Sequence, residues 1–488
     1  MRRILGVDRL LKRVKRRFGY GCDELRGVQF HVRWLHPPSA CRSHDRKAIT
    51  LRRCCEPAQR HMVRAAVVVH VQRRPDRSMM TCTLRYKAKR TLKPDVSSEA
   101  VPLIHHVVAI IGIASLALAA MYAVLVLVAL SVWRARRNAP IAPALPLAPV
   151  TLLKPLCGSE PGLYNNLRSF CEQKHPSFQI VFGVRDPADP ALQIVRRLVA
   201  EFPELLIDVV INPQQHGSNC KVSNLINMLP SARYDLLIMA DSDASVSQDY
   251  LRAVTMPLLD QSVGLVTCIY RGIPTPLICS RLGAMFINEW YMPSVVLAWL
   301  FGHRGYASGQ TLALRRATLT AIGGLEAMAN HLADDNLLGE KVRQLGLRVV
   351  LSPFVPAAEH HEPDLQALTD HELRWMCTLR VLRPFSFRLL FLSFSTPLAV
   401  LGMILAAQEA SLSRAAWSLL WVSLVARVLL HFSYRARRNS SLLSDFWLLP
   451  ARDLLTCWVW FRSFFASRVR WRDIEFDLSA DGLIRRLP

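Results

Sequence analysis

The sequence predicts an α/β domain with a mostly parallel sheet, joined to transmembrane helices before and after it. Three observations carry that expectation. Apolar, β-prone runs alternate with helical stretches between residues 150 and 380; the uncharged 27-residue run Val107–Trp133 precedes them; two further long apolar segments follow. Short buried strands separated by helices are the pattern of βαβ units, whose crossover helices cover both faces of a parallel sheet.

Composition agrees with a membrane component. Hydrophobic residues make up 51% of the 488, and mean hydropathy is +0.19. The net charge of +24 resembles a nucleic-acid signal until it is mapped. Residues 1–100 hold 25 Lys and Arg against 8 Asp and Glu, and much of the remaining excess stands beside apolar segments. A nucleic-acid face needs basic residues interleaved with aromatics on one ordered surface, so no nucleic-acid partner is expected. Twelve cysteines include no C-x-x-C pair, and Cys54 and Cys55 are adjacent. That suits neither a zinc knuckle nor a simple disulfide framework, and reduced, cytosol-facing thiols are expected.

In chain order, residues 1–100 are Arg-rich, lack steady periodicity and show no signal-peptide pattern. They read as a poorly ordered basic extension, or as a stretch upstream of the working protein. Residues 105–134 read as a transmembrane helix, since the apolar run exceeds the ~20 residues that cross a bilayer. Arg134, Arg136 and Arg137 then place the downstream side in the cytoplasm. A Pro/Ala linker, 139–149, leads to the cytosolic domain, 150–380. Strands are expected at Val150–Leu153, Ile180–Val184, Ile207–Ile211, Leu236–Ala240 and Val263–Thr267. Helices are expected at Tyr164–Gln173, Ala191–Ala200 and Val222–Met228. Residues 385–434 supply two transmembrane helices, Phe385–Ala407 and Ala415–Phe432, whose exit meets Arg435, Arg437 and Arg438. Pro450, Arg452, Asp453 and Arg462 interrupt 442–466, and charges deep in lipid are expensive, so an interfacial or re-entrant helix is expected there. A cytosolic tail, 467–488, closes the chain with Arg468, Arg470 and Arg472.

Polar signatures stand in order on the α/β domain. Asp186 follows a strand and can accept hydrogen bonds from a base or ribose edge; ordinary turn chemistry explains it equally. Asp241-Ser242-Asp243 follows a very apolar strand and offers oxygen ligands to a hard divalent cation, Mg²⁺ or Mn²⁺, with a helix cap as the competing explanation. Asp334-Asp335 opens an apparent helix, where the dipole favours acids whatever the function. His371 and Arg374 share one helix face beside Trp375; the arginine can grip a diphosphate and the indole can wall a sugar pocket, or the Trp simply anchors a surface helix. Lys221 follows Gly217 at a helix start, a placement that suits an anion. Gly309-Gln310-Thr311 reads as the lining of an acceptor pocket or as plain loop.

Taken jointly, an acid, D-x-D, D-D and then x-x-R-W before membrane segments resembles the processive and lipid-directed GT-A glycosyltransferases. Within these the sequence resembles the ceramide glucosyltransferase family, through Leu153-Lys154-Pro155-Leu156-Cys157-Gly158, Asp241-Ser242-Asp243, Asp334-Asp335 and Arg374-Trp375. Phe170-Cys171-Glu172-Gln173, Val181 to Pro187, Leu332 to Asp335 and His371 to Trp375 are similar to its bacterial hopanoid-biosynthesis branch. The resemblance spans about residues 105–475. It implies a Rossmann-like GT-A domain and an inverting displacement: Asp335 as base, Asp243 with Asp241 on the metal, Asp186, Lys221, Asp241 and Lys154 on the nucleotide sugar, Arg374 at the leaving diphosphate, and Trp375 among the catalytic residues as a pocket wall. His371 is grouped with these catalytic residues, its role open, because it stands where the family pattern has Gln or Arg. The implied donor is a UDP-sugar, UDP-N-acetylglucosamine, and the implied acceptor a membrane lipid hydroxyl, bacteriohopanetetrol. Ceramide with UDP-glucose is the nearest alternative; a non-catalytic basic membrane scaffold is the alternative of another class. Other lipid-biosynthesis enzymes are conceivable partners, and the expected location is a bacterial inner membrane, crossed several times.

Overall fold

The computed structural model describes residues 147–435, 445–471 and 474–487, the helix 96–137 (its side chains from 103), and the backbone of strands 30–34, 64–73 and 80–89. Most of the expected linker, and Arg437, Arg438 and Arg472, lie outside the described residues. The chain divides into two units, 1–103 and 104–488.

Within the first unit, β1 (Phe30–Trp34), β2 (Arg64–Arg73) and β3 (Met80–Lys89) form an antiparallel sheet in the order β1-β3-β2. That is ordered pairing where a basic extension without structure was expected. The run Val67-Val68-Val69 is the local reason, since β-branched residues favour strands.

Helix α1 (Val96–Arg137) is long and apolar enough to cross a membrane over Leu103–Arg137. The α/β domain then begins with β4 (Val150–Pro155), α2 (Leu163–Cys171), β5 (Phe178–Val184), α3 (Ala191–Glu201), β6 (Leu206–Ile211), α4 (Cys220–Met228) and β7 (Leu236–Met239). The short strand β8 (Ala244–Ser245), α5 (Tyr250–Thr255) and β9 (Val263–Cys268) follow. All five expected strands form within one or two residues of their sequence positions.

A seven-stranded sheet results in the order β12-β9-β11-β7-β4-β5-β6, where β11 is Leu312–Arg315 and β12 is Arg348–Ser352. Strands β4 to β7 pair in parallel, as β12 does with β9; β11 alone runs antiparallel, between β7 and β9. Leu152, Ile180, Phe182, Ile238 and Val266 face one layer of helices, and their neighbours Leu153, Val181, Leu237 and Leu265 face the other. Side chains alternate across a pleat, so a sheet covered on both sides needs apolar residues at every position, which is what these runs supply. Each such burial is worth ~1.5–3 kcal/mol.

Before β11 the chain makes an apolar excursion: β10 (Arg271–Pro274), α6 (Ile278–Phe286), a π-helical turn Ile287–Tyr291 and α7 (Met292–Leu300). After it come α8 (Arg316–Ala321), α9 (Asp334–Gln344) and β13 (Ala357–His360). Strand β13 pairs with both β10 and β8, forming a small second sheet directly beyond Asp243. Helix α10 (Leu365–Leu382) returns over the domain, its N-cap Asp364 accepting from the Ala367 amide at 2.8 Å.

The expected single span at 385–407 is broken in two. Helix α11 (Pro384–Arg388) and a 3₁₀ turn to Ser393 meet α12 (Ser395–Ala406) at 70°. Pro397 lacks the N–H that a continuous helix would pair with the Ser393 carbonyl. Helix α13 (Ser413–Arg435) belongs to a second segment long and apolar enough to span; the bent pair, taken as one, would make a third. Gly112 on α1 and Gly402 on α12 allow backbone contact: a Cβ at 112 would stand 2.6 Å from the Gly402 carbonyl oxygen. Helix α14 (Leu449–Ser463) is too short to span straight. The expected tail forms a third sheet, β14 (Arg468–Trp471), β15 (Ile474–Leu478) and β16 (Ile484–Arg486).

Candidate active site

The carboxyl ends of β4, β5 and β7 open into a cavity of about 1220 Å³. Asp186, Lys221, Asp241, Asp243, Asp334, Asp335, His371, Arg374 and Trp375 all line it. Ligands bind beyond strand ends in such sheets because the loops there leave backbone groups and side chains pointing outward. Lys154 is the exception among the expected residues. It is fully buried beneath the floor, where its Nζ donates to the Asp241 carbonyl and sits 3.7 Å from the Phe170 ring centroid. It supports the D-x-D turn instead of meeting a ligand. Burial pulls its ammonium down to about 7, against the opposing charges of Asp243 and Asp241.

The acids are held by polar partners from distant loops. Lys221 Nζ lies 2.6 Å from Asp241 Oδ1 and 3.8 Å from Asp334 Oδ2. Burial alone would lower this lysine, but Asp241 and Asp334 hold it above its ordinary value. Gln310 Nε2 donates to both Asp243 oxygens at 3.0 and 3.2 Å, while its own Oε1 is buried without a hydrogen-bond partner among the described residues. Burial, then the neighbouring Asp241 charge, push the Asp243 carboxyl up. Two crowded carboxylates and an orphaned amide oxygen are an oxygen donor set that a hard divalent cation would relieve, so the residues fit Mg²⁺ or Mn²⁺.

Asp335 is fixed at the start of α9. The Gly309 amide donates to its Oδ2 at 2.8 Å and the Asn336 amide to its Oδ1 at 2.7 Å. Burial and the adjacent Asp334 raise its carboxyl to about 6, a value suited to proton abstraction near neutrality. Asp186 is exposed and folds into an Asx turn, its Oδ1 accepting from the Ala188 amide at 2.8 Å. Asp189, overlooked in the sequence, holds that loop by accepting from the Gly158 and Ala191 amides. No periodicity marks it; only its place after a turn does.

Helix α10 supplies the opposite wall. Arg374 lies over the Trp471 ring at 5.3 Å, and Trp375 stacks on Phe286 with centroids 5.7 Å apart. Glu372, between His371 and Arg374 in sequence, points away and receives both guanidinium nitrogens of Arg452 at 2.6 and 2.7 Å. His371 Nδ1 meets Glu362 Oε1 at 3.1 Å, and His360 Nδ1 meets the same oxygen at 3.3 Å. His360 and Glu362 also line the cavity and were not singled out in the sequence; a His-x-Glu followed nine residues later by His was the available signal. Apolar side chains line the same cavity, among them Phe286, Ile287, Trp290, Val295, Leu379 and Leu390.

The chain is similar to several known proteins. The profile of glycosyl transferase family 21 matches residues 112–484, more than half of the chain. Ceramide glucosyltransferase 1 of Caenorhabditis elegans is 27% identical over 228 residues, 46% of this chain and 47% of that protein. The chain thus spans about half the length of that relative. Ceramide glucosyltransferase 3 of the same organism is 22% identical over 379 residues, 73% of this chain and 79% of that protein. Among solved structures, the mannosyltransferase PcManGT from Pyrobaculum calidifontis, in complex with GDP-Man and Mn²⁺, matches with a TM-score of 0.40 and 20% identity, covering 73% of this chain and 98% of that one.

Proposed function

We propose that the chain, which belongs to glycosyl transferase family 21, transfers a sugar from a UDP-sugar to the hydroxyl of a membrane lipid. One observation carries this: the dispersed acids and Arg374 meet in a single cavity that apolar side chains also line. A nucleotide diphosphate suits the space between floor and opposite wall, where Lys221 from one and Arg374 from the other oppose its charge. The apolar lining from α6 and α11, Phe286 and Phe387 among it, suits the first part of a lipid whose tail stays in the bilayer.

In the single-displacement step, Asp335 takes the proton of the acceptor hydroxyl as that oxygen attacks the anomeric carbon and the C–O bond to UDP breaks. The Gly309 and Asn336 amides hold its carboxylate oxygens, so the base needs no rearrangement before transfer. Asp243, with Asp241 beside it, would hold a divalent cation, which would supply positive charge at the diphosphate. Asp186 and Trp375 both line the cavity, where the first would meet the nucleotide and the second would wall the sugar. The proposed substrates are UDP-N-acetylglucosamine and bacteriohopanetetrol, supported by the sequence resemblance. Ceramide with UDP-glucose is the second reading, supported by the names of the curated relatives.

The proposed location is a bacterial inner membrane, with several crossings and the domain on the cytoplasmic side. Arg134 near the end of α1 reaches Ser433 near the end of α13 at 3.3 Å, so both basic exits lie at one level. The test is incubation of membranes containing the chain with labelled UDP-sugars and lipid extracts, followed by mass analysis. A lipid carrying one added hexose or N-acetylhexosamine is expected. Lipids unchanged with every UDP-sugar, or a growing polysaccharide, would overturn the proposal.

A further inference from the structure

We propose that His360, Glu362 and His371 form a second divalent-metal site, of the nitrogen-and-carboxylate kind that takes Zn²⁺, separate from the Asp241–Asp243 pair. The three come from two elements and the loop between them: His360 from the end of β13, Glu362 from the loop, and His371 from α10. One ligand atom of each lies within 4.8 Å of the others, and Glu362 Oε1 stands 3.3 and 3.1 Å from the two Nδ1 atoms. With metal–ligand bonds of about 2.0–2.1 Å, neighbouring ligands of a tetrahedral zinc ion stand roughly 3.3 Å apart. The two separations to Glu362 therefore need little adjustment to admit an ion, on which the two histidine nitrogens, within 4.8 Å of each other, would close.

A plain hydrogen-bonded triad accounts for less. Both histidines address one oxygen, and the other, Glu362 Oε2, is buried with no hydrogen-bond partner among the described residues. Unpaired buried polar atoms are rare, and an absent ion is one of the standard reasons for them. His360 and Glu362 are 5% exposed, whereas the His371 side chain is 32% exposed and lines the cavity. Three ligands closed on the protein side and open toward the cavity leave one position for water or a ligand oxygen. The His371 ring lies 4.0 Å from that of Trp375, so its orientation is set before any ion arrives. The donor atoms also differ in kind: imidazole nitrogens favour zinc-like ions, while the carboxylates of Asp241 and Asp243 favour Mg²⁺ or Mn²⁺. His371, standing where the family pattern has Gln or Arg, acquires a role this way.

The test uses the full chain in detergent, stripped with a chelator and titrated with Co²⁺, whose tetrahedral complexes absorb strongly in the visible. One such Co²⁺ per chain, displaced by Zn²⁺, is expected. Glu362→Gln and His371→Gln should each weaken it by about tenfold or more, with size-exclusion profiles reporting whether each variant folds. Asp243→Asn should leave the spectrum in place. A spectrum lost in Asp243→Asn, but kept in Glu362→Gln and His371→Gln, would assign the ion to the carboxylate pair and overturn the proposal. So would the absence of a tetrahedral spectrum, leaving a hydrogen-bonded triad only. None of these readouts uses sugar transfer, so failure here and failure of the proposed activity are told apart.

Discussion

Replacing Asp335 by Asn separates chemistry from stability in a way its surroundings make quantitative. Each carboxylate oxygen accepts one backbone N–H, from Gly309 at 2.8 Å and from Asn336 at 2.7 Å. An amide has one acceptor oxygen, so one of those donors loses its partner, at a cost of ~1–3 kcal/mol. Against this, the wild-type carboxyl is raised from 3.8 to about 6, mainly by burial. Its ionised form therefore destabilises the fold; the penalty is absent below about 4, grows up to about 6 and is complete above it. At neutral pH it amounts to ~2–3 kcal/mol, allowing for partial exposure. Asn carries no such penalty, so the two effects nearly offset. In metal-free buffer at pH 7.5, Asp335→Asn should unfold within a few degrees of wild type, with its relative stability falling as pH is lowered to 5. Turnover should fall ~10²–10⁴-fold, the usual contribution of a general base. For wild type, kcat/KM for the lipid should rise about tenfold per pH unit below about 6 and level off above it. Lipid glycosylation by mass analysis and differential scanning fluorimetry give both numbers. Turnover of Asp335→Asn within about tenfold of wild type, or a pH profile flat from 5 to 8, would remove Asp335 from the base role.

Other substitutions address the rest of the cavity and its supports. Asp243→Ala should weaken metal-dependent binding of the UDP-sugar while metal-independent binding of the nucleotide changes little; equal titration curves with and without Mn²⁺ in variant and wild type alike would refute the assignment. Arg452→Met strands Glu372, which is 1% exposed, and should cost about 3–5 kcal/mol, whereas Glu372→Leu combined with Arg452→Met should cost much less. Denaturation midpoints decide this: a double variant as unstable as the single would show that the pair is not the cause. Gly402→Leu should separate α1 from α12, because even a Cβ there meets the Gly112 carbonyl oxygen at 2.8 Å. A cysteine pair across that contact should cross-link in wild type and fail to do so in the variant.

The parts of this protein legible in its sequence are those whose cause is local. The strands around Leu152, Ile180 and Ile238 announce themselves because a sheet buried on both faces demands continuous apolar runs. Asp241, Asp243, Asp335 and Arg374 were legible through spacing and order, and all four line one cavity. The uncharged run Val107–Trp133 needed only its length. Phe385–Ala407 reads as one span by the same measure, but that it breaks between Ser393 and Ser395 depends on how α11 packs on α10 and α12 on α1.

Everything that depends on pairing across the chain was left to the tertiary structure. Lys154 looks like a ligand contact and lies beneath the floor, because β4 runs inside the sheet and carries its side chain under the Asp241 turn. The Gln310 amide reaches Asp243 across 67 positions, and Arg452 reaches Glu372 across 80. His360 and His371 share one oxygen of Glu362 because the turn from β13 into α10 folds them together. Hydrophobic patterning responds to the average environment of a position, so it specifies strands, spans and the acidic loops at strand ends. A polar partnership depends on one particular neighbour within about 3 Å, and only the packed chain supplies it.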